Sequence, residues 1–318
     1  MLIPTFNEVD NVFEVYERIN KVFVEQLENR YNYEILFIDN CSTDGTRDKL
    51  RALAKKDSCI KIIMNSRNFG WSRSLFYGLI NTTGDCTVYL PADMQEPPEL
   101  IKKFVCEWEN GNKIVIGIKT SSNESKLKYL IRDAYYLLMN RIAEIEHVRQ
   151  FMGFGLYDRE FVDLLRSLDD PMPYFRGIVT DLGYSIKKVE YSQDIRRHGK
   201  SHCTLAGMYD FAMIGITAYS KKVTRLATFL GVAIFFLCFI AGVVLLMLKL
   251  FNIVDIALST AALIVGLFAI GGIQLFFLGL ISEYIMSINT RILHRPLVIE
   301  EERLNFVNVD HSQNNSLR

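Results

Sequence analysis

Two spacings of apolar residues alternate along the first two-thirds of the chain. Val12, Val15, Tyr16, Ile19, Val22 and Phe23 recur at the three-and-four interval of one helical face. The next apolar run, Tyr33–Ile38, is short and continuous, as in a strand buried on both sides. The pattern then repeats as helix Thr46–Lys56, strand Ile60–Met64, helix Ser72–Asn81, strand Cys86–Leu90, helix Pro98–Glu109 and strand Lys113–Ile118. Strands separated by helices predict an α/β fold with a mainly parallel sheet. In such sheets ligands bind beyond the carboxyl ends of the strands. Leu2-Ile3 is a stub of a first strand, so either that strand is shorter than the usual ~5 residues or the N-terminus lies further upstream. Beyond Ile118, Thr120–Ser125 reads as a loop, Leu127–Glu144 as an amphipathic helix, Gly153–Tyr157 as a strand and Asp158–Ser167 as a helix. Gly183–Tyr191 leads into a basic segment, Gln193–His202.

The last third changes character. Leu205–Tyr219 reads as an interfacial amphipathic helix. Leu226–Leu248 and Ile256–Ser282 then hold no charged residue, and at ~1.5 Å per residue each exceeds the ~30 Å core of a bilayer. Lys221, Lys222 and Arg225 precede the first run and Arg291 and Arg295 follow the second, which by the positive-inside rule puts both ends in the cytoplasm. Glu283 marks the cytoplasmic end of the second run. The expected division is a catalytic domain over 1–202, a juxtamembrane segment over 203–225, a two-helix hairpin over 226–290 and a polar cytoplasmic tail over 291–318, disordered from Asn305. No signal peptide precedes Ile3-Pro4, so insertion depends on the late helices. The expected product is an integral inner-membrane protein whose partners include the lipid bilayer.

Composition adds exclusions. Thirty-six basic and 36 acidic residues give zero net charge, which offers no global field for nucleic acid. Six cysteines show no CxxC spacing, which fits a reducing cytosol and argues against structural zinc.

The candidate chemistry lies in three polar loops that follow predicted strands. They are Phe6-Asn7-Glu8, then Asp39-Asn40 with Ser42-Thr43-Asp44-Gly45-Thr46, and Ala92-Asp93-Met94-Gln95. Carboxylates on one edge of a parallel sheet can hydrogen-bond a base and ribose and hold a divalent cation against a diphosphate. Each loop alone also reads as an ordinary turn or helix cap; together, in order, they are far more specific.

IPTFNE, EILFIDNCSTDGT, SRNFG, LPADMQEPPELI, YFRGIV and IRRHGKS resemble, in order, the signatures of family 2 glycosyltransferases. The similarity is to their polyprenyl-phosphate sugar synthase group, which includes bactoprenol glucosyltransferases and dolichol-phosphate mannose synthases. It covers roughly residues 1–225. The resemblance implies a GT-A fold and inverting transfer of a hexose, with UDP favoured as the nucleotide, onto undecaprenyl or another polyprenyl phosphate. The sugar would later be used on a surface glycan such as the cell wall or O-antigen. It further implies that Pro4, Phe6, Glu8, Asp39, Asn40, Asp44, Ala92, Gln95 and Arg132 hold the nucleotide-sugar donor, and that Asp93 holds Mg2+ or Mn2+. Arg196, Lys200 and His202 would join Asp93 in catalysis, with Arg196, Arg197, Lys200 and Ser201 on the acceptor phosphate, in a possible homotetramer.

The chain departs from that pattern at three positions. Asn40 stands where the family has a second acid, Pro91 where it has the first acid of the metal motif, and His202 where it has lysine. A magnesium ion needs only one or two carboxylates when phosphate and water complete its shell, so Asp93 can suffice. If His202 acts as the cation, activity should fall as pH rises through the imidazole pKa. The basic segment also reads as a patch for anionic headgroups. Two other functions stand beside the enzyme: a catalytically degenerate, membrane-anchored sugar-nucleotide-binding subunit, and a processive polysaccharide synthase, which would carry further spans and a QxxRW-type motif not found in this chain.

Overall fold

The computed structural model describes residues 1–121, 148, 150–194, 205–220, 222, 225–226, 229, 233–234, 236–237, 240, 243–244, 247–248, 251, 256–293 and 295–306. The chain divides into two compact units: one of Met1–Asp133, His147–Cys203 and His294–Arg318, the other of Ala134–Glu146 and Thr204–Leu293.

The first unit is built on β1 (Leu2–Thr5), α1 (Val12–Lys21, continued by a π turn Val22–Gln26), β2 (Ile35–Asp39), α2 (Thr46–Lys56), β3 (Ile60–Asn65), α3 (Trp71–Ile80), β4 (Cys86–Tyr89) and α4 (Leu100–Glu109). It continues through β5 (Ile114–Ser121), β6 (Gly155–Asp158), α5 (Arg159–Ser167), α6 (Phe175–Asp181) and β7 (Ile186–Ser192). These strands and β8 (Glu300–Leu304) form one sheet in the order β7-β5-β6-β4-β1-β2-β3-β8. The pairs β1–β2, β1–β4, β2–β3 and β5–β7 are parallel, as the alternation of helices and strands predicts. β6 is wedged antiparallel between β4 and β5, and β8 runs antiparallel on β3.

Successive residues of β2 face opposite sides of the sheet, and each side is a core. Ile35 and Phe37 pack with Val12, Val15 and Ile19 of α1, Leu50 and Leu53 of α2, and Ile101 and Phe104 of α4. Leu36 and Ile38 pack with Leu75, Phe76 and Leu79 of α3, Phe161 and Leu165 of α5, and Phe175 and Ile178 of α6. This double burial explains why the strands read as unbroken apolar runs. α3 rides close on β1 because Gly78 lacks a side chain; a Cβ there would sit 2.5 Å from Leu2 Cδ1.

Several details differ from the periodicity. β2 ends on Asp39 rather than Ile38, so its last residue is the carboxylate itself. β5 runs through Thr120 and Ser121, which were expected to open a loop. Asp158 closes β6 and caps α5, accepting from Glu160 N at 2.9 Å. α6 is too short to show a helical period, and β8, within the segment expected to be a polar tail, reads EEERL. Charged residues disfavour strand as a rule, yet they suit an edge strand whose side chains reach water and ion-pair partners.

In the second unit, α7 (Leu205–Tyr219) lies against α8 (Ile256–Ile292). Tyr209 Oη donates to Glu283 Oε1 at 3.0 Å, and Tyr284 Oη donates to the Ser220 carbonyl at 2.9 Å. Among the described residues one helix is long and apolar enough to cross a membrane, over Ile270–Ile292, with Leu275, Phe276 and Leu278 exposed. A second crossing helix is not shown: Leu226–Leu248 is described only in part, and its described residues are helical.

Candidate functional site

β4, β1 and β2 are adjacent and parallel, so the three polar loops leave the sheet side by side at one edge. The first two are laced together. Asn7 N donates to Ser42 Oγ at 2.9 Å and Thr43 N to Asn7 Oδ1 at 2.9 Å. Glu8 N donates to Thr46 Oγ1 at 3.0 Å and Val9 N to Asp44 Oδ2 at 3.1 Å. Burial works against the Asp44 charge, but hydrogen bonds from the Thr46 hydroxyl and amide and from Val9 more than offset it and lower its pKa. Each loop holds one non-glycine residue in the left-handed region: Asn7 at φ 57°, Cys41 at 67° and Met94 at 61°. Asparagine tolerates this; for the others it costs ~1–2 kcal/mol, a strain that clusters at binding sites.

Asp39 is fully buried at the foot of this edge. Its carboxylate accepts from Ser42 N at 3.0 Å and from Arg47 Nε at 2.7 Å. Burial alone would lower the Arg47 pKa, but Asp39 and Glu301 raise it. Asn40 holds the following loop: its Nδ2 donates to Asn68 Oδ1 at 2.8 Å, while its Oδ1 accepts from Phe69 N at 2.9 Å and Asn65 Nδ2 at 3.2 Å. Glu8 is buried and accepts from Asn11 Nδ2 at 2.5 Å. Pro4 pairs in register with Ile38 inside β1, Phe6 is half-buried and Ala92 is buried.

The third loop is tied to the segment after β7. Gln95 N donates to Asp93 Oδ1 at 3.2 Å, and the Gln95 carbonyl accepts from Asp194 N at 3.0 Å. Glu96, 4% exposed, accepts from Tyr191 Oη at 3.2 Å and Gln193 Nε2 at 3.4 Å. Burial, and then the charge of Asp93, pushes its pKa up to about 8, against lowering by Tyr191 and by Lys119. The start of the basic segment is therefore bonded to the Asp93 loop. Arg132, Arg196, Arg197, Lys200, Ser201 and His202 lie outside the described residues.

A divalent cation fits here only as a companion of a phosphate ligand. Among the described residues there is no group of three side chains able to cage a metal. What is present is Asp93 beside a buried carboxyl whose ionisation it opposes, a locally acidic spot that a dication would relieve. Arg47, Glu96 and Lys119 were missed in the sequence. Lys119, buried at the end of the apolar run IVIGIKT, was the readable one, since a lone charge closing such a run needs an acidic partner.

The profile of glycosyl transferase family 2 matches residues 1–165. An uncharacterized glycosyltransferase of Bacillus subtilis strain 168, YkcC, is 32% identical over 303 residues, 95% of this chain and 93% of that protein. A bactoprenol glucosyl transferase of Shigella phage SfX is 28% identical over 310 residues, 95% of this chain and 98% of that protein. Among solved structures, mannosyl-3-phosphoglycerate synthase from Rubrobacter xylanophilus overlays with a TM-score of 0.46 at 15% identity, covering 72% of this chain and 74% of that one.

Proposed function

This chain is a glycosyltransferase and belongs to glycosyl transferase family 2, and from that premise we propose that it moves a hexose from a nucleotide sugar to a polyprenyl phosphate. The observation that carries the reading is the gathering of three polar loops at the carboxyl edge of β4, β1 and β2, with the Asp93 loop hydrogen-bonded to the start of the basic segment. The bactoprenol glucosyl transferase that matches 95% of this chain supports a lipid acceptor, and the apolar helix Ile270–Ile292 supports a membrane location. We assign the donor as UDP-linked and the working face as the cytoplasmic one.

In this mechanism the loops of Pro4–Glu8 and Asp39–Thr46 hold the nucleotide, and Asp93 holds a divalent cation. When bound, that cation neutralises charge on the departing diphosphate. The acceptor needs no protein base, because a phosphate monoester with second pKa near ~6 is mostly ionised at neutral pH. Its oxygen attacks the anomeric carbon as the bond to the nucleoside diphosphate breaks, and the diphosphate leaves with the electron pair, so configuration inverts. Arg196, Arg197, Lys200, Ser201 and His202 supply the positive and hydrogen-bonding surface that keeps two anions together, the main work of such a site.

The test is to incubate membranes carrying the protein with radiolabelled nucleotide sugars and follow butanol-extractable product. Wild type should give lipid-linked sugar; Asp93→Ala, or wild type in EDTA, should lose at least about a hundredfold in rate. Nucleotide binding with no product would make the chain a binding subunit, and insoluble polymer would make it a polysaccharide synthase. Full turnover in EDTA would remove the cation from the mechanism.

A further inference from the structure

The segment that follows α8 adds β8 to the edge of the sheet and reaches Arg47. Three nitrogens of Arg47 have three different partners: Nε donates to Asp39 Oδ2 at 2.7 Å, Nη1 to Glu301 Oε2 at 2.8 Å and Nη2 to the Asn65 carbonyl at 2.5 Å. A guanidinium is a planar fork, so fixing two prongs orients the third. The third prong here meets a carboxylate with no exposed surface, at the last residue of β2, in the loop assigned to the nucleotide.

Glu301 reaches Arg47 because the β8 ladder is irregular. Met64 pairs with Glu302 and Asn65 with Glu300, with a register shift between them, so Glu301 is the extra residue of a bulge. A regular strand sends alternate side chains to opposite faces. In β8, Glu300 accepts from Tyr77 Oη of α3 at 2.8 Å, while both Glu301 and Glu302 turn to α2, to Arg47 and to Arg51 Nη2 at 2.7 Å. The bulge breaks the alternation and brings a second carboxylate to the α2 side.

We propose that Glu301 is a positioning residue for the nucleotide pocket, acting through Arg47 on Asp39. This rests on the donor assignment above. The strand does not depend on Glu301 for its attachment. β8 is also held by the Arg51–Glu302 pair, by the Tyr77–Glu300 bond and by Asn305 Nδ2, which donates to the carbonyls of Ala54 at 2.8 Å and Ile60 at 2.9 Å. Glu301 is itself 53% exposed on its side chain, so its ion pair adds little to fold stability. An effect on nucleotide affinity larger than any effect on melting therefore separates positioning from scaffolding.

The experiment measures UDP and GDP binding by calorimetry on the full chain in detergent, for wild type, Glu301→Gln, Glu301→Asp and Glu302→Gln, with Tm recorded for each. Glu301→Gln, whose amide oxygen can still accept from Arg47 but carries no charge, should bind the preferred nucleotide about three- to tenfold more weakly, the difference between a charge-assisted and a neutral hydrogen bond, with Tm nearly unchanged. Glu301→Asp should recover part of the loss, and Glu302→Gln should match wild type. In turnover, KM for the sugar nucleotide should rise while kcat holds. Wild-type affinity in Glu301→Gln, or an equal loss in Glu302→Gln, would overturn the proposal while leaving the donor assignment standing. Failure of wild type to bind either nucleotide would remove both.

Discussion

Glu96 sits beside Asp93 with its carboxyl buried, and its pKa is pushed up to about 8 from an ordinary 4.5. In that interval the folded chain keeps a proton that the unfolded chain has lost. Stability contributed by the neutral carboxyl is therefore present below pH ~4.5 and declines as pH rises toward about 8, by on the order of a few kcal/mol. Melting of wild type in EDTA should fall across that window, and Glu96→Gln should flatten the decline; parallel curves would mean that Glu96 ionises normally. The places of Glu96 and Arg47 beside these loops were not legible in the sequence. The strand-end placement of Asp39, Asp44 and Asp93 was, because each follows an apolar run that reads as a strand, and the end of a parallel strand is a position that periodicity locates. What a buried carboxylate pairs with depends on tertiary placement: the Arg47 partner Glu301 lies 254 positions away.

At the scale of elements, the parallel half of the sheet was legible because β2, β3 and β4 are buried on both faces and separated by helices with a clear apolar stripe. The wedge of β6 between β4 and β5 was not, since four residues carry no signature of direction. The wedge depends on close backbone approach: a Cβ at Gly155 would lie 2.5 Å from the Val115 carbonyl oxygen, with no flexible side chain to yield. Gly155→Ala should destabilise the fold by roughly 1–3 kcal/mol, seen as a lower Tm or denaturant midpoint. An unchanged midpoint would show that β5 and β6 spread at little cost. β8 was hidden for the opposite reason: four of its five residues are charged, and it is the ladder to β3 together with side-chain partners on α2 and α3 that makes a strand of them.

For the whole molecule, the apolar third of the chain sets the behaviour to expect. α8 exposes Leu267, Leu275, Phe276, Leu278, Ile281 and Ile285, far more apolar surface than an isolated helix keeps in water. The protein should stay in the membrane pellet through an alkaline carbonate wash and enter solution only with detergent; recovery in the carbonate supernatant would contradict a spanning helix. The order in which the sheet is completed has its own consequence. β3 ends at Asn65 and its edge partner begins at Glu300, so at ~5–20 residues per second the ribosome takes on the order of ten seconds or more to deliver that partner. By then α8 has already been translated. A nascent chain stalled earlier carries the parallel strands without the edge strand that pairs Glu301 with Arg47, so that contact is completed only after α8 has been made.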